Sequence, residues 1–348
     1  MRHRGAFPRR AVREGRIDTI ETTPKEGSAA ARGGGGETSD APDEAQATAS
    51  FERAFAGGDD PAYLLSRPAA QTVPLLFNSP HSGNVYTDRF RDASALPLVR
   101  LRASEDVAVD RLFASVTRHG APLLAARFPR AWLDVNREPY ELDPKLLREN
   151  LPAHANTRSL RVAGGLGTVP RLVSEGMAIY RRAPSLAEVQ WRIETVYRAY
   201  HDALRGLVVS TAARFGHAVL IDCHSMPSRA TGPKVAGRMP DIIVGDRFGT
   251  SCHSVFSQAV VAAFRERGYL VTRNKPYAGG FITEHYGKPA QGLHAVQIEI
   301  NRALYMDETG FVPNAGFAGL QADIECVCRH LCGLPTSGFG PHVPMAAE

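Results

Sequence analysis

The sequence contains no apolar run that approaches the roughly 20 residues of a membrane-spanning helix, so we expect no membrane span. It has no GxSxG segment either, and this absence disfavours a serine hydrolase with a nucleophile elbow. Its five cysteines form no CxxC pair, so neither a zinc ribbon nor a disulfide framework is indicated. Scattered single cysteines are typical of a reducing compartment, and we therefore expect a cytoplasmic protein.

Aromatic residues and excess charge are also scarce. Aromatics make up 8% of the chain, and residues 1–36 hold eight Lys or Arg and four Asp or Glu, which accounts for +4 of the formal charge of +5. The remainder is nearly neutral and lacks the basic stripe with interleaved aromatics that is typical of nucleic-acid binding. We expect a small-molecule partner and neither nucleic acid nor membrane, while the oligomeric state is not indicated.

Composition divides the chain near residue 48. Residues 1–48 combine charge, alanine, serine and the glycine run Gly33–Gly36, and cannot bury enough apolar surface to order themselves. We predict a disordered tail there, although an extension upstream of a misplaced start codon would have the same composition. For residues 49–340 we predict a single α/β domain, because short apolar runs alternate with helical patterns.

The apolar runs predict the strands of this domain. The stretch 138–184 is rich in proline and glycine and too long for a simple connection, so we expect it to fold over the site. The predicted strands are Pro74–Asn78, Leu123–Phe128, Trp132–Val135, Ala218–Asp222, Asp241–Val244, Tyr269–Thr272 and Ala295–Ile300.

Three helices have clear signals. Ser185 and Glu188 form a capping box, and the apolar face that follows them predicts a long helix that ends near Gly216. A second helix is expected over residues 251–267, and Ser104 is expected to cap a third.

Two histidines directly follow predicted strands: His81 in LLFNSPHSG and His224 in AVLIDCHS. The carboxyl ends of strands open onto the ligand crevice of an α/β protein, so the two imidazoles can meet at one metal ion, although a packed structural histidine is the alternative at either position. Asp222 is placed to orient the His224 ring, whereas alternation along the strand turns Cys223 to the opposite side. Histidine and carboxylate ligands favour zinc over magnesium or calcium.

A catalytic zinc site needs a third protein ligand. Glu105 and Asp106 begin the segment SEDVAVD, and Asp110 lies one helical turn later. Spacing does not choose among these three carboxylates, and stabilisation of a helix dipole explains acids at a helix start equally well.

Two further groups of residues suggest substrate chemistry. The segment FPRAWLDVNREPYELDP places Arg127, Arg130, Asn136 and Arg137 around a strand end, where guanidinium groups can bind a carboxylate or a dicarboxylate. Surface ion pairing with Asp134, Glu138 or Glu141 is the alternative. Glu299 stands inside the apolar strand segment HAVQIEIN, and a buried acid is costly unless it is paired or functional. A general base beside a metal-bound water is one such function.

Six segments in this order resemble those of the N-formylglutamate amidohydrolase family over roughly residues 70–310: NSPHSG, SEDVAVDRLF, DVNREP, DCHS, NKPYAGGFITEHYG and HAVQIEINRALYMDE. The resemblance implies a mixed central sheet flanked by helices, in a three-layer sandwich similar to the zinc carboxypeptidases. It also implies one zinc ion, held by His81, His224 and an acid of SEDVAVD, for which we choose Asp106 over Glu105.

The resemblance also implies the roles of other residues. Glu299 would be the catalytic acid and base, and His285 or Arg137 would steady the oxyanion. Glu284 in ITEHYG stands where many relatives carry a basic residue. The expected substrate-binding residues are Asn136, Arg137, Arg130, Gly279 and Gly280.

The expected reaction is metal-dependent hydrolysis of an N-formyl amino acid, above all N-formyl-L-glutamate, to formate and the free amino acid, as in amino-acid catabolism. A zinc carboxypeptidase or an N-acyl amino acid deacylase on the same scaffold is the alternative enzyme, and peptides or longer acyl groups would distinguish it. A non-catalytic metal-binding or amino-acid-binding protein is the alternative of another class.

Overall fold

The computed structural model describes residues 55–57, 60–230, 237–335 and 339–340. The tail predicted over residues 1–48 lies outside this part of the chain. Within the described residues, no helix combines the length and the apolar character needed to cross a membrane.

A seven-stranded mixed sheet forms the centre of the fold. Its strands are β1 Tyr63–Ser66, β2 Leu75–Ser79, β3 Leu123–Ala126, β4 Ala218–Met226, β5 Ile242–Gly245, β6 Val271–Arg273 and β7 Leu293–Asn301. They lie in the order β1-β3-β2-β4-β7-β5-β6 across the sheet. Strands β3, β2, β4 and β7 are parallel, while β1 pairs antiparallel with β3, and β5 pairs antiparallel with β7 and parallel with β6. Two-residue strands pair outside this sheet: Ala56–Gly57 with Asp60–Pro61, and Met306–Asp307 with Val312–Pro313.

Helices connect these strands, and one more helix follows the last strand of the sheet. The long helix, α5, consists of Leu186–Trp191, the π-helical segment Arg192–Tyr197 and Arg198–Phe215 in direct succession. The others are α1 Asp88–Ala93, α2 Leu98–Leu101, α3 Val109–Leu112, α4 Leu160–Ala163, α6 Ser254–Glu266, α7 Phe281–Tyr286 and α8 Phe317–Cys332. Short 3-10 turns occur at Arg102–Ser104, Ala114–His119, Arg247–Gly249, Pro289–Gln291 and Arg302–Leu304.

Helices cover both faces of the sheet, because successive residues of a strand point to opposite sides. In β2, Leu76 packs in one apolar cluster with Leu204 of α5, while Phe77 packs in a second cluster with Phe264 of α6 and Ile324 of α8. The molecule therefore has helix, sheet and helix layers with two cores, which confirms the expected mixed α/β fold.

The two ends of α5 lie where the sequence signals place them, but the capping box is only half formed. The Ser185 hydroxyl accepts a hydrogen bond from the Glu188 backbone N–H at 3.2 Å. The Glu188 carboxylate pairs with Arg192 and not, in the described residues, with the Ser185 backbone N–H. At the other end, Gly216 adopts a left-handed conformation with φ 79°, which glycine enters without steric cost.

Two local predictions are wrong. The segment 132–135 contains no strand; it is a buried turn, in which the Trp132 N–H donates to the Pro129 carbonyl and the Asp134 N–H donates to the Thr168 carbonyl. Its apolar residues Trp132, Leu133 and Val135 are buried, as is Asp134 between them, and burial alone does not distinguish a strand from a buried turn. Ser104 does not cap α3 either, because α3 begins after Ala108, in a left-handed conformation.

The sheet positions the site. Strands β2, β3, β4 and β7 run in the same direction, so the residues at their carboxyl ends lie along one edge of the sheet. In β4 and β7, His224 and Glu299 are direct cross-strand partners at this edge.

Candidate active site

His81 lies two residues beyond the end of β2 and is 1% exposed. Its Nε2 is 2.8 Å from Asp134 Oδ1, so Asp134 holds the ring. Its Nδ1 is buried, has no hydrogen-bond partner among the described residues, and lies 3.4 Å from Asp106 Oδ2.

His224 repeats this arrangement from β4. Its Nε2 is 2.9 Å from Asp222 Oδ2, and its Nδ1 is 3.1 Å from Asp106 Oδ2. Asp222 lies two residues before His224 on the same face of the strand, as the sequence predicts, while Cys223 packs in the core on the other face. Each imidazole is therefore oriented by a carboxylate at Nε2 and directs Nδ1 toward Asp106.

His81, Asp106 and His224 can hold a metal ion. Their potential ligand atoms all lie within 4.8 Å of one another, and all three residues are buried. Two imidazoles with a carboxylate are a typical ligand set of catalytic zinc, and carboxylates behind ligating histidines are typical partners of such a set. The unpartnered His81 Nδ1 is the atom that a cation here would satisfy.

Asp106 is held in place through its second oxygen. Asp106 Oδ1 accepts hydrogen bonds from the Ser225 hydroxyl at 3.0 Å and from Arg302 Nη2 at 3.2 Å, which leaves Oδ2 facing the two histidines. Although burial raises the pKa of Asp106, His224 and His81 hold it well below its usual range. Arg302 is not among the residues predicted from the sequence, and its only signal is its place directly after the buried strand β7.

Glu105 points elsewhere. Its carboxylate accepts hydrogen bonds from Arg102 Nε at 2.9 Å and from the Tyr86 hydroxyl at 3.2 Å. Asp110 lines the same neighbouring cavity as Glu105, apart from the histidines. The geometry thus brings Asp106, of the three acids left open by spacing, to the candidate metal site.

Glu299 faces the same site from β7 and is 7% exposed. Burial, together with the negative charge of Asp106, raises its pKa to about 7, although His224 and nearby arginines oppose this shift. Gln297 Nε2 donates to Glu299 Oε1 at 2.8 Å. A carboxyl group with a pKa near neutrality can both accept and return a proton at neutral pH.

These groups line a cavity of about 270 Å³. This volume is close to the lower end of the range for small-molecule sites, about 300–1,000 Å³. As expected, the stretch 138–184 contributes part of the wall, including Arg161, Leu166 and Val173. Arg130, Arg137, Arg161 and Arg302 all line the cavity, against the three carboxylates Asp106, Asp134 and Glu299.

The predicted substrate-binding residues Arg130 and Arg137 differ in how many of their guanidinium nitrogens contact acceptors of the protein. Arg130 Nε donates to Asp134 Oδ2 at 2.9 Å. Arg137 uses Nε for the Leu166 carbonyl at 2.9 Å and Nη1 for the Asn136 carbonyl at 2.7 Å, with Nη2 3.4 Å from Asp134. Arg137 therefore mainly braces the cavity wall, whereas no acceptor in the described part of the chain takes a hydrogen bond from the two terminal nitrogens of Arg130.

Asn136 links the histidine cluster to the loop before α7. Its Nδ2 lies 3.3 Å from His224 Nε2, and its Oδ1 accepts from the Ile282 N–H at 2.8 Å. Gly279, with φ 124°, and Gly280 line the cavity beside it. The structure therefore brings Asn136, Gly279 and Gly280 to the predicted site.

Gly280 packs so closely against the Asn136 side chain that one added methyl group is expected to lower activity strongly. A Cβ at Gly280 would lie 2.5 Å from Asn136 Nδ2, so Gly280→Ala must displace the Asn136 side chain beside His224. We expect kcat/KM for hydrolysis of an N-formyl amino acid, the reaction that the sequence resemblance implies, to fall on the order of 100-fold. This is the usual effect when a group of an active site is displaced by about 1 Å. The matched control is Gly206→Ala in α5, where a Cβ meets nothing within 4 Å. Equal activity of both variants would contradict this interpretation of Gly280.

His285 does not reach the site. It is exposed on α7, stacks on the Phe281 ring with centroids 5.0 Å apart, and is absent from the cavity lining. The expectation that it steadies the oxyanion is corrected, because the helical turn of α7 directs buried Ile282 and Tyr286 inward and leaves His285 outward. The neighbouring Glu284 likewise pairs with Arg247, at 2.8 Å.

The fold and the site define an α/β protein in which a buried carboxyl group with a raised pKa faces a cluster of side chains able to hold a metal ion. The chain belongs to the N-formylglutamate amidohydrolase family, whose model matches residues 73–306. It is 32% identical over 265 residues to the N-formylglutamate deformylase of Pseudomonas aeruginosa, covering 74% of this chain and 91% of that protein. It is 31% identical over 241 residues to the N-formylglutamate deformylase of Pseudomonas putida, covering 68% of this chain and 83% of that protein.

A solved structure has the same fold. The crystal structure of N-formylglutamate amidohydrolase from Ralstonia eutropha JMP134 superimposes with a TM-score of 0.73 at 36% identity, covering 78% of this chain and 97% of that one. The protein is thus an amidohydrolase by family, which confirms the resemblance identified from its sequence segments.

Proposed function

We propose that this protein is a zinc-dependent hydrolase that converts N-formyl-L-glutamate to formate and L-glutamate. The observation that carries the proposal is the convergence of His81, Asp106 and His224 within 4.8 Å, beside Glu299, in a small cavity rich in arginine. The choice of substrate follows from the two Pseudomonas relatives, which are N-formylglutamate deformylases.

His81, Asp106 and His224 would hold the zinc ion. Zinc bound there supplies a Lewis acid that polarises the amide carbonyl and lowers the pKa of water at the site. Asp134 and Asp222 keep the two imidazoles oriented, and Ser225 with Arg302 holds Asp106 so that a single oxygen faces the histidines.

Glu299 moves the proton in this proposal. Its carboxylate accepts a proton from the attacking water and returns it to the leaving amine, which is the free amino group of glutamate. The pKa of about 7 suits both transfers. Arg130, with both terminal nitrogens directed to no protein acceptor in the described residues, binds the α-carboxylate next to the scissile amide.

The test is formate release from N-formyl-L-glutamate by the purified protein, before and after chelation and after zinc replacement. We expect activity that chelation abolishes and zinc restores. Chelation without effect would remove the metal from the mechanism. Release from peptides or longer N-acyl amino acids in place of the formyl substrate would favour the carboxypeptidase or deacylase alternative, and zinc binding without any hydrolysis would favour a binding protein.

A further inference from the structure

Four arginines line the cavity, and they differ in their hydrogen-bond partners. Arg302 is fully engaged by the protein: Nε donates to Ser225 Oγ, Nη1 to the Ala103 carbonyl and Nη2 to Asp106 Oδ1, at 3.1, 3.0 and 3.2 Å. Arg137 braces the wall through all three of its nitrogens, as described above. These two arginines are therefore structural parts of the cavity.

Arg161 is the opposite case. It lies on the short helix α4, which the Ser159 side chain caps by accepting from the Val162 N–H at 3.0 Å and which buried Val162 anchors. The Arg161 side chain is exposed and lines the cavity, and among the described residues no acceptor takes a hydrogen bond from it. A guanidinium on an anchored backbone, facing a cavity with its donors uncommitted, is suited to bind an anion.

The arginines differ in how directly they are connected to the two histidines. Arg130 shares Asp134 with His81, so it lies directly beside the candidate metal site. Arg137 also contacts Asp134, and burial together with the charges of Arg130 and Arg161 lowers its pKa to about 10. Arg161 lines the same cavity, but unlike Arg130 it is exposed and, among the described residues, makes no ion pair with Asp134 or with the candidate metal ligands. It therefore lies at the exposed side of the cavity.

An N-acylated acidic amino acid has two anionic groups, one near the scissile amide and one further away, which matches the positions of Arg130 and Arg161. Its α-carboxylate is attached to the carbon that carries the scissile amide nitrogen, while its side-chain carboxylate lies further along the molecule. We propose that Arg161 determines specificity by binding the side-chain carboxylate, while Arg130 binds the α-carboxylate; this inference rests on the proposed function. The excess of arginines over carboxylates in the cavity favours such a dianion over a substrate with a neutral side chain.

The test compares two nearly isosteric substrates in the zinc-loaded enzyme. N-formyl-L-glutamate and N-formyl-L-glutamine differ only in the charge of the side-chain terminus. We expect Arg161→Gln to lower kcat/KM for formylglutamate on the order of 10- to 100-fold, the value of one charged hydrogen-bonded pair, mainly through KM, and to leave formylglutamine nearly unchanged. Arg161→Lys, which retains the charge but not the planar fork, should restore part of the loss.

The matched control is Arg158→Gln, an exposed arginine three residues earlier that does not line the cavity. It should leave both substrates unaffected. An equal loss on both substrates for Arg161→Gln would assign Arg161 a structural role, and no loss would make it a solvated surface residue; either result overturns the inference while the proposed function stands.

Failure of the proposed function is distinguishable. If the wild-type enzyme releases formate from neither substrate, the proposed reaction fails, and calorimetric binding of L-glutamate against L-glutamine to wild type and to Arg161→Gln tests the inference instead. A preference for L-glutamate that the variant loses would support Arg161 as the side-chain subsite. The absence of any preference in the wild type, or its retention in the variant, would overturn it.

Discussion

Glu299→Gln is expected to retain zinc and to lose most of its turnover. The amide of glutamine is nearly the same size as the carboxylate but accepts no proton, so the loss corresponds to general acid–base catalysis, about 10²- to 10⁴-fold in kcat. Zinc content by elemental analysis and kcat for formate release measure the two properties separately. The three candidate ligands do not include Glu299, so the metal should remain.

Glu284→Gln is the matched control for this variant. Glu284 is an exposed glutamate outside the cavity that pairs with Arg247, so its replacement should leave kcat close to the wild-type value. Unchanged turnover of Glu299→Gln would remove this carboxylate from the mechanism. Loss of zinc from the same variant would instead make Glu299 a fourth ligand.

The same carboxylate sets a pH dependence. A general base works only when ionised, and burial raises the pKa of Glu299 to about 7. The rate should therefore be constant above the pKa and decrease tenfold per pH unit below it. Because a bound cation nearby favours the ionised form, we expect the acid limb of kcat/KM at or below about pH 7. A rate that is independent of pH from 5 to 8 would contradict the assignment.

Asp106→Asn is expected to abolish both zinc retention and activity. Replacement of a carboxylate that merely supports a ligand costs about 10- to 100-fold in metal affinity or activity, so loss of a ligand itself should exceed about 100-fold. The substitution would also remove the negative charge to which Arg302 and Ser225 now donate hydrogen bonds. Zinc affinity by competition with a chromogenic chelator, alongside kcat/KM, provides the measurement.

Glu105→Gln tests the adjacent acid. Its carboxylate pairs with Arg102 and Tyr86, so the substitution should lower thermal stability while zinc affinity stays close to that of the wild type. If Glu105→Gln lost the metal and Asp106→Asn retained it, the assignment of the third ligand would be reversed.

Local signals in the sequence were sufficient for several parts of this structure. Alternation placed Asp222 and His224 on the site face of β4 and Cys223 in the core, because the side-chain period of a strand is two. The N-cap at Ser185 and the glycine at the end of α5 likewise act over a few residues. Such features depend on neighbouring residues alone, so the sequence predicts them.

Features that depend on distant segments were missed or misplaced. Arg302 contacts Asp106 across almost 200 residues of sequence, and no spacing predicts that pair. Asp134 was interpreted only as a possible ion-pair partner of the arginines, yet it also holds the His81 ring. His285 carries the residue type of a catalytic group, but the orientation of α7 turns it to solvent.

The sequence by itself determined the chemical groups, the strand ends that carry His81 and His224, and the family. The tertiary structure decided which of the acids in SEDVAVD faces the histidines, which arginines are occupied by the protein, and which wall Arg161 lines. The physical reason is range: caps and side-chain alternation act within one or two turns of the chain. A metal or substrate site is assembled from groups whose distances depend on how the loops between strands pack.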